Sequence, residues 1–172
     1  MKLLARLLSL AVLVSAVILF SRCDGGDDPK KSEQQIQFEK LKFTWTLQEA
    51  RLNNQTTGNA AEEFNDASMT LVISGNFAEN GKFDYTWTTD TEIAASPWPE
   101  SGKWQFGSPV TSQIIRLDSE TISGEPNVDM SYALSNSDKT LSVTIDDYDG
   151  NNFVIGRTAS VDGTWSFTFT RP

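Results

Sequence analysis

The feature of this sequence that most constrains its fold is an alternation of apolar and polar residues with a period of two, which recurs from residue 41 to the C-terminus. It is clearest near the end, where Trp165, Phe167 and Phe169 alternate with serine and threonine. Such alternation is typical of β-strands with one buried face. Eight strands are predicted, with their apolar faces at 41–47, 69–73, 83–87, 104–106, 113–117, 128–134, 141–145 and 165–169.

The order of these segments predicts an all-β domain. Helical periodicity is nearly absent, and the one helix candidate is a single turn at 60–64 behind Asn59. Consecutive strands with local connections favour an antiparallel meander over a parallel sheet, which needs helical crossovers. Closure into an eight-stranded up-and-down barrel removes both exposed edges and is the preferred prediction. A β-sandwich has the same periodicity and remains the alternative.

The N-terminal segment 1–22 has the layout of an export signal. Lys2 and Arg6 precede an uncharged run from Leu7 to Phe20. That run is shorter than the roughly 20 residues that a membrane-spanning helix needs, so a signal peptide is favoured over a span. No A-x-A-like site follows the run.

The segment from Phe20 to Asp24 contains the only cysteine, Cys23. It resembles the cleavage box of bacterial lipoproteins, in which the cysteine receives diacylglycerol and becomes the N-terminus. Arg22 stands where that pattern has a small residue. The resemblance implies a lipidation site at Cys23 and anchoring to a membrane. The alternatives are an uncleaved N-terminal anchor and an unpaired thiol.

The predicted organisation is a signal peptide at 1–22, a flexible acidic tether at 23–37 and one domain at 38–172. The tether is polar and glycine-rich, with too little apolar surface to fold. Its residues Asp24, Asp27 and Asp28 resemble the cysteine-proximal acidic signals of Bacteroidetes-type lipoproteins. That resemblance implies a lipid-anchored location at the outer membrane or cell surface.

The charge balance argues against nucleic acid as a partner. Three of the 14 basic residues precede Cys23 and all 23 acidic residues follow it, so the chain from Cys23 onward carries 11 basic and 23 acidic residues, a formal charge of −12. Such a surface disfavours nucleic acid as a partner, and solubility is its simplest explanation. With one cysteine, the fold is expected to rest on its core without a disulfide.

Three aromatic motifs carry a family resemblance: Phe43–Leu47 (FTWTL), Ser101–Phe106 (SGKWQF) and Trp165–Phe169 (WSFTF). Together with the leader, they are similar to the lipocalin-like domains of Bacteroidetes-type lipoproteins over about residues 40–170. The glycine-x-tryptophan of true lipocalins is on their first strand, whereas Gly102 is on the fourth predicted strand here. The resemblance implies a barrel that binds a small ligand.

The residues for catalysis are scarce. The chain has no histidine, which excludes Ser-His and Cys-His nucleophiles and His-based zinc sites. Carboxylate pairs are too numerous in so acidic a chain to indicate glycoside hydrolysis. We therefore expect a non-enzyme without a cofactor. The acidic segment 146–152 suggests calcium, but it lacks EF-hand spacing, and a solvated turn is favoured over a metal site.

Ligand binding is the remaining class, and its candidate residue is Trp98. Eleven aromatic residues are predicted to point inward and to pack the barrel: Phe43, Trp45, Phe83, Tyr85, Trp87, Trp104, Phe106, Tyr132, Trp165, Phe167 and Phe169. This crowding directs attention to four long connections, at about 53–68, 89–101, 118–127 and 146–163. The second holds Trp98 between Pro97 and Pro99, where it could contact a ligand or fold over the barrel end as a plug. Residues 153–155 in the fourth are predicted to be a ninth short strand or a lid contact.

Two functions follow as hypotheses. The first is a membrane-anchored protein that binds a small apolar or carbohydrate ligand at the barrel mouth, with Trp98 as a contact. The second is an interaction or assembly protein of the cell envelope, with a filled barrel that displays its loops to a protein partner. A cavity of several hundred Å³ inside the barrel would favour the first, and a filled interior the second.

Overall fold

A computed structural model describes residues 30–93, 96–122, 124–149 and 161–172, and Ser32–Pro172 form one compact unit. Each strand pairs antiparallel with the next, and the last pairs with the first, so the sheet is a closed eight-stranded barrel. This confirms the predicted up-and-down meander and excludes the sandwich. The strands are β1 (Thr44–Leu52), β2 (Thr70–Ser74), β3 (Phe83–Thr88), β4 (Ser101–Phe106), β5 (Gln113–Arg116), β6 (Val128–Ser135), β7 (Thr140–Tyr148) and β8 (Gly163–Thr170).

Three helices of the described residues accompany the barrel: α1 (Glu33–Leu41), α2 (Ala61–Asp66) and α3 (Asp118–Thr121). Only α2 was expected. Glu33–Gln37, assigned to the tether from composition, form the first half of α1, and the Ser32 hydroxyl caps this helix by accepting from the Gln35 amide at 3.2 Å. None of the helices among the described residues is long and apolar enough to cross a membrane.

The connections of a closed meander emerge alternately at its two ends. The short connections β2–β3, β4–β5 and β6–β7 therefore share one end, named here the short-connection end. The other four share the opposite, long-connection end, and they span residues 53–69, 89–100, 117–127 and 149–162. The topology thus gathers the four long connections noted in the sequence around one mouth of the barrel.

Helix α1 closes the short-connection end. Phe38 stacks on Phe83 with ring centroids 4.4 Å apart, and the Trp45 Nε1–H donates to the Leu41 carbonyl at 2.8 Å. The Ser32 hydroxyl donates to Glu79 in the β2–β3 connection at 2.7 Å, which fixes the start of the helix at this end. The entry of the chain into the domain therefore lies opposite the long connections.

The interior is built largely from the predicted aromatic residues. Nine of the eleven are buried: Trp45, Phe83, Tyr85, Trp87, Trp104, Tyr132, Trp165, Phe167 and Phe169. Phe106 is partly buried at the core margin. The prediction for Phe43 is wrong, because its side chain is 43% exposed. The chain leaves α1 at Leu41 and enters β1 at Thr44, so Phe43 lies in the turn between them, with the Arg171 guanidinium 3.4 Å from its ring centroid.

Strand β1 changes its inward face partway along. Its pairing with β8 shifts register between Leu47 and Glu49, as a β-bulge does. Trp45 is buried before the bulge, and Ala50 and Leu52 are buried after it, although simple alternation from Trp45 would place both outside. Strand β1 thus continues past Leu47 to Leu52, with its even-numbered residues facing inward after the bulge.

Candidate functional site at the long-connection end

Trp98 lies inside the barrel and not at its rim. Its side chain is 4% exposed. The indole packs edge-on against Tyr85, Phe167 and Phe169, with ring centroids 5.9, 5.5 and 6.4 Å away. The structure therefore places the sequence-predicted ligand residue in the core, in the plug arrangement that was its alternative.

The backbone around Trp98 is held by several hydrogen bonds. The Trp98 carbonyl accepts from Trp87 Nε1–H at 3.2 Å and from the Ser96 hydroxyl at 2.7 Å. The Trp98 amide donates to the same Ser96 oxygen at 3.0 Å. The Pro97 carbonyl accepts from Arg116 Nη1 at 2.8 Å. These bonds fix a segment that contributes to the core although it belongs to no strand.

Arg116 contacts two of the long connections and the end of β7. Its guanidinium binds the Asp118 carboxylate through Nε and Nη2, at 2.8 and 2.7 Å. Its Nη1 donates to the Pro97 carbonyl. The Tyr148 ring centroid, at the end of β7, lies 5.9 Å from its Cζ. One side chain thus contacts residues from three of the neighbouring segments at this end.

The Arg116–Asp118 pair is completely enclosed, with side chains 0% and 2% exposed. Burial of two charges has a large desolvation cost, which close geometry and further hydrogen bonds must offset. This pair was not among the site residues predicted from the sequence. A signal was present, since Arg116 shares the parity of Ile114 on β5 and so occupies an inward position of a barrel strand.

Helix α2 covers the same mouth. The Phe64 ring lies 5.6 Å from Trp165 and 5.4 Å from Phe167 between ring centroids, in edge-to-face contacts. The Asn65 amide clamps the helix to β1, because its Oδ1 accepts from the Ala50 amide at 2.7 Å and its Nδ2 donates to the Ala50 carbonyl at 2.9 Å. With α1 opposite, helical segments pack over the barrel core at both ends.

The space left in the barrel is small. One apolar cavity of about 20 Å³ lies between Trp98 and the interior strands, and Leu41, Tyr85, Trp104 and Met130 contribute to its wall. That volume exceeds only slightly the 10–15 Å³ or so that one water molecule requires. Among the described residues, this cavity therefore has no room for a ligand of ordinary size while Trp98 is in place.

Three of the residues that line this cavity carry buried N–H or O–H donors, although the surface that they present to it is apolar. Tyr85 Oη, Trp98 Nε1 and Trp104 Nε1 are buried, and no hydrogen-bond partner for them is found in the part of the chain that the structure describes. Burial raises the pKa of the Tyr85 hydroxyl, and the Arg116 charge and, to a smaller extent, the adjacent Trp98 indole partly oppose that shift. Tyr85 is accordingly a neutral donor, in contact with the indole but not well bonded to it.

Gly102 explains how the Tyr85 ring fits. The two residues face each other across β3 and β4. A Cβ on Gly102 would lie 2.7 Å from Tyr85 Oη and 2.9 Å from its Cε1 and Cζ. The absence of a side chain at Gly102 therefore makes space for the phenol that borders the cavity.

The outer surface of the long-connection end carries two grooves lined by acidic residues. One of about 330 Å³ follows residues 87–92 and includes Glu100. The other, of about 300 Å³, lies between residues 125–129 and 145–149. Within the described ranges, no three or more His, Cys, Asp or Glu are arranged to hold a metal ion. Residues 150–152 of the calcium alternative lie outside those ranges.

Two sequence predictions fall outside the described residues. They are the lipidation site Cys23 and the ninth strand or lid contact at 153–155. Comparison with known proteins found no matching family model, no matching curated protein and no matching solved structure. The closed eight-stranded antiparallel barrel is consistent with a lipocalin-like fold.

Proposed function

We propose that this chain is a lipid-anchored, non-catalytic interaction protein of the cell envelope, whose filled barrel presents its long connections to a partner protein. The observation that carries the proposal is the interior cavity of about 20 Å³. It leaves no room for an organic ligand in the resting barrel, whereas four long connections converge on one mouth.

The charge of the connections indicates the chemistry of the partner. Three of the long connections contain three acidic residues each and the fourth contains two, against a single basic residue, Arg157. The connections at the opposite end are balanced, with Glu79 and Asp138 against Lys82 and Lys139. A partner with a basic surface complements the long-connection end and is steered toward it.

The position of Ser32 indicates which end of the barrel the preceding segment joins. Ser32 lies at the short-connection end, where it contacts Glu79. A lipid on Cys23 would therefore join the barrel through that end, by a linker of residues 24–31 that reaches at most about 28 Å. The acidic long connections lie at the end of the barrel opposite Ser32.

The test is co-purification of the full-length tagged protein from membranes of its own cell. A loop variant removes the three charges of one long connection: Asp90→Asn, Glu92→Gln and Glu100→Gln. A control variant removes three exposed charges near the other end: Glu33→Gln, Glu39→Gln and Glu79→Gln. Both variants change the net charge equally, so a difference between them reports position and not overall charge.

We expect wild type and control to retain the same partner at about 0.15 M ionic strength and to lose it at about 1 M, where exposed charges are screened. The loop variant should lose the partner already at the lower ionic strength. Equal retention by the loop variant, or no protein enriched over a tag-only membrane sample, would contradict the proposal.

A second candidate function is the binding of a small apolar ligand in place of Trp98. It is favoured by one observation, namely that the indole in the core comes from a connection and belongs to no paired strand. The buried indole offers no exposed face for a sugar to stack on, so the apolar class is preferred over the carbohydrate class.

A further inference from the structure

We propose that the volume filled by the Trp98 indole, together with the cavity beneath it, is a latent site for a flat, uncharged molecule with one hydrogen-bond acceptor, which Tyr85 recognises. The inference rests on the second candidate function and specifies its ligand class. Trp98 occupies the site as an internal substitute for that ligand.

The shape of the site follows from the contacts of the indole. Tyr85, Phe167 and Phe169 meet it edge to face, so the indole fills a slot suited to a planar ring. Removal of the indole would merge its space with the cavity of about 20 Å³. An apolar void on the order of 150 Å³ stays dry and takes up a benzene-sized molecule. A single substituted ring therefore fits.

The acceptor preference follows from Tyr85. Its hydroxyl is buried and has no well-formed hydrogen bond among the described residues, and the Trp98 indole that a ligand would replace is close enough to affect the Tyr85 pKa. A buried donor without a partner is unfavourable, and an acceptor on the ligand would relieve that cost. Because burial raises the Tyr85 pKa, the hydroxyl keeps its proton and donates across the working pH range.

The preference for an uncharged ligand follows from the side chains around the cavity. The nearest ionised groups, Arg116 and Asp118, neutralise each other in a bidentate pair. Apart from Trp104, which carries a second buried N–H donor, the other side chains around the cavity, such as Leu71 and Val143, are apolar. A charged ligand would be desolvated there without a free counter-charge, which disfavours it strongly.

Arg116 is the positioning residue of this arrangement. Its Nη1 donates to the Pro97 carbonyl at 2.8 Å and so holds the residue next to Trp98 against the barrel. Opening of the site requires this bond to break, while the pair with Asp118 can persist. Binding by wild type should therefore be weaker than binding by a variant that lacks the indole.

The experiment measures binding of three ring compounds of similar size to full-length Trp98→Ala by calorimetry. The probes are acetophenone, which has an acceptor, ethylbenzene, which has none, and benzoate, which is charged. We expect acetophenone to bind about tenfold more tightly than ethylbenzene, the effect of one hydrogen bond, and benzoate not to bind. Trp98→Leu, which keeps more of the core filled, serves if the alanine variant does not fold.

The matched control is Trp98→Ala/Tyr85→Phe. It should keep the affinity for ethylbenzene and lose the tenfold preference for acetophenone. Acetophenone should bind to wild type at least tenfold more weakly than to Trp98→Ala. Binding to wild type should also expose Trp98 to acrylamide quenching, and the fluorescence of Trp98→Phe gives the quenching of the other tryptophans.

Tightest binding of benzoate, an acceptor preference that survives Tyr85→Phe, or no binding by wild type at millimolar acetophenone would each overturn the inference. Failure of the partner co-purification leaves these results unchanged, since the probes need no partner. Probe binding to folded Trp98→Ala without any acceptor preference would retain the second candidate function and refute only the ligand class.

Discussion

The contact between Gly102 and Tyr85 gives a prediction whose magnitude can be worked from distances. In Gly102→Ala, the new methyl group would meet Tyr85 Oη at 2.7 Å and two ring carbons at 2.9 Å. The ring cannot move aside freely, because Tyr85 is 3% exposed and packs against Trp98. Either the phenol or strand β4 must therefore shift.

Overpacking of this kind costs about 1–3 kcal/mol. Replacement of a strand glycine by alanine returns about 0.5–1 kcal/mol through lower entropy of the unfolded chain. The net expectation for Gly102→Ala is a loss of about 1 kcal/mol, and at most about 2.5 kcal/mol, in the free energy of unfolding. For a domain of this size, each 1 kcal/mol corresponds to a fall in Tm of about 2–4 °C.

The assay is urea unfolding of a double-mutant cycle with Tyr85→Phe. Because the Tyr85 hydroxyl is buried without a partner, Tyr85→Phe alone should leave stability unchanged or raise it by up to about 1 kcal/mol. The double variant should be more stable than additivity predicts, by about 0.5–1 kcal/mol, since the closest contact is gone and the two ring contacts remain. Wild-type stability of Gly102→Ala, or strict additivity, would refute this account of the packing.

Three other predictions concern the core and the anchor. Arg116→Leu should lower the free energy of unfolding by about 3–5 kcal/mol because Asp118 stays buried without its partner, and Arg116→Leu/Asp118→Leu should recover most of that loss in denaturant titrations. Burial raises the pKa of Tyr85 and Tyr132 above the unfolded value of about 10. Their contribution to the free energy of unfolding is therefore complete below that pH and is lost as the pH rises above it. Stability should therefore fall between about pH 10 and 11, and Tyr85→Phe should reduce the slope; an equal slope would contradict the assignment. Cys23→Ala should move the protein from the membrane fraction to the soluble fraction on immunoblots, and an unchanged distribution would exclude a lipid on Cys23.

The barrel was largely predictable because its strands obey one local rule. Each of the eight predicted strands overlaps an observed strand, since alternation with a buried face depends only on neighbouring residues. The rule failed at Phe43, because helix α1 ends immediately before it and the chain turns there. It also failed after Leu47, because a bulge is a register shift with the β8 partner and is not encoded in the periodicity of β1.

The site was less predictable because its key features depend on contacts distant in sequence. The first half of helix α1, Glu33–Gln37, reads as a polar tether, and only docking of Phe38 and Leu41 on the barrel makes it part of the fold. Trp98 was singled out by its flanking prolines, but its depth depends on the ring contacts with β3 and β8. The Arg116 bond to Pro97 joins segments 19 residues apart, which periodicity does not reveal.

The central claim is that the filled barrel acts through its long-connection end. A photo-crosslinking amino acid can be placed in the full-length chain, one site at a time, at exposed Gln55, Glu92 and Asn127 of the long connections. The control sites are exposed Asn76, Asn80 and Ser137 at the short-connection end. After illumination of intact cells, one protein should be crosslinked from the first set and not from the second. Crosslinks of equal yield from both ends, or from the short-connection end alone, would contradict the account.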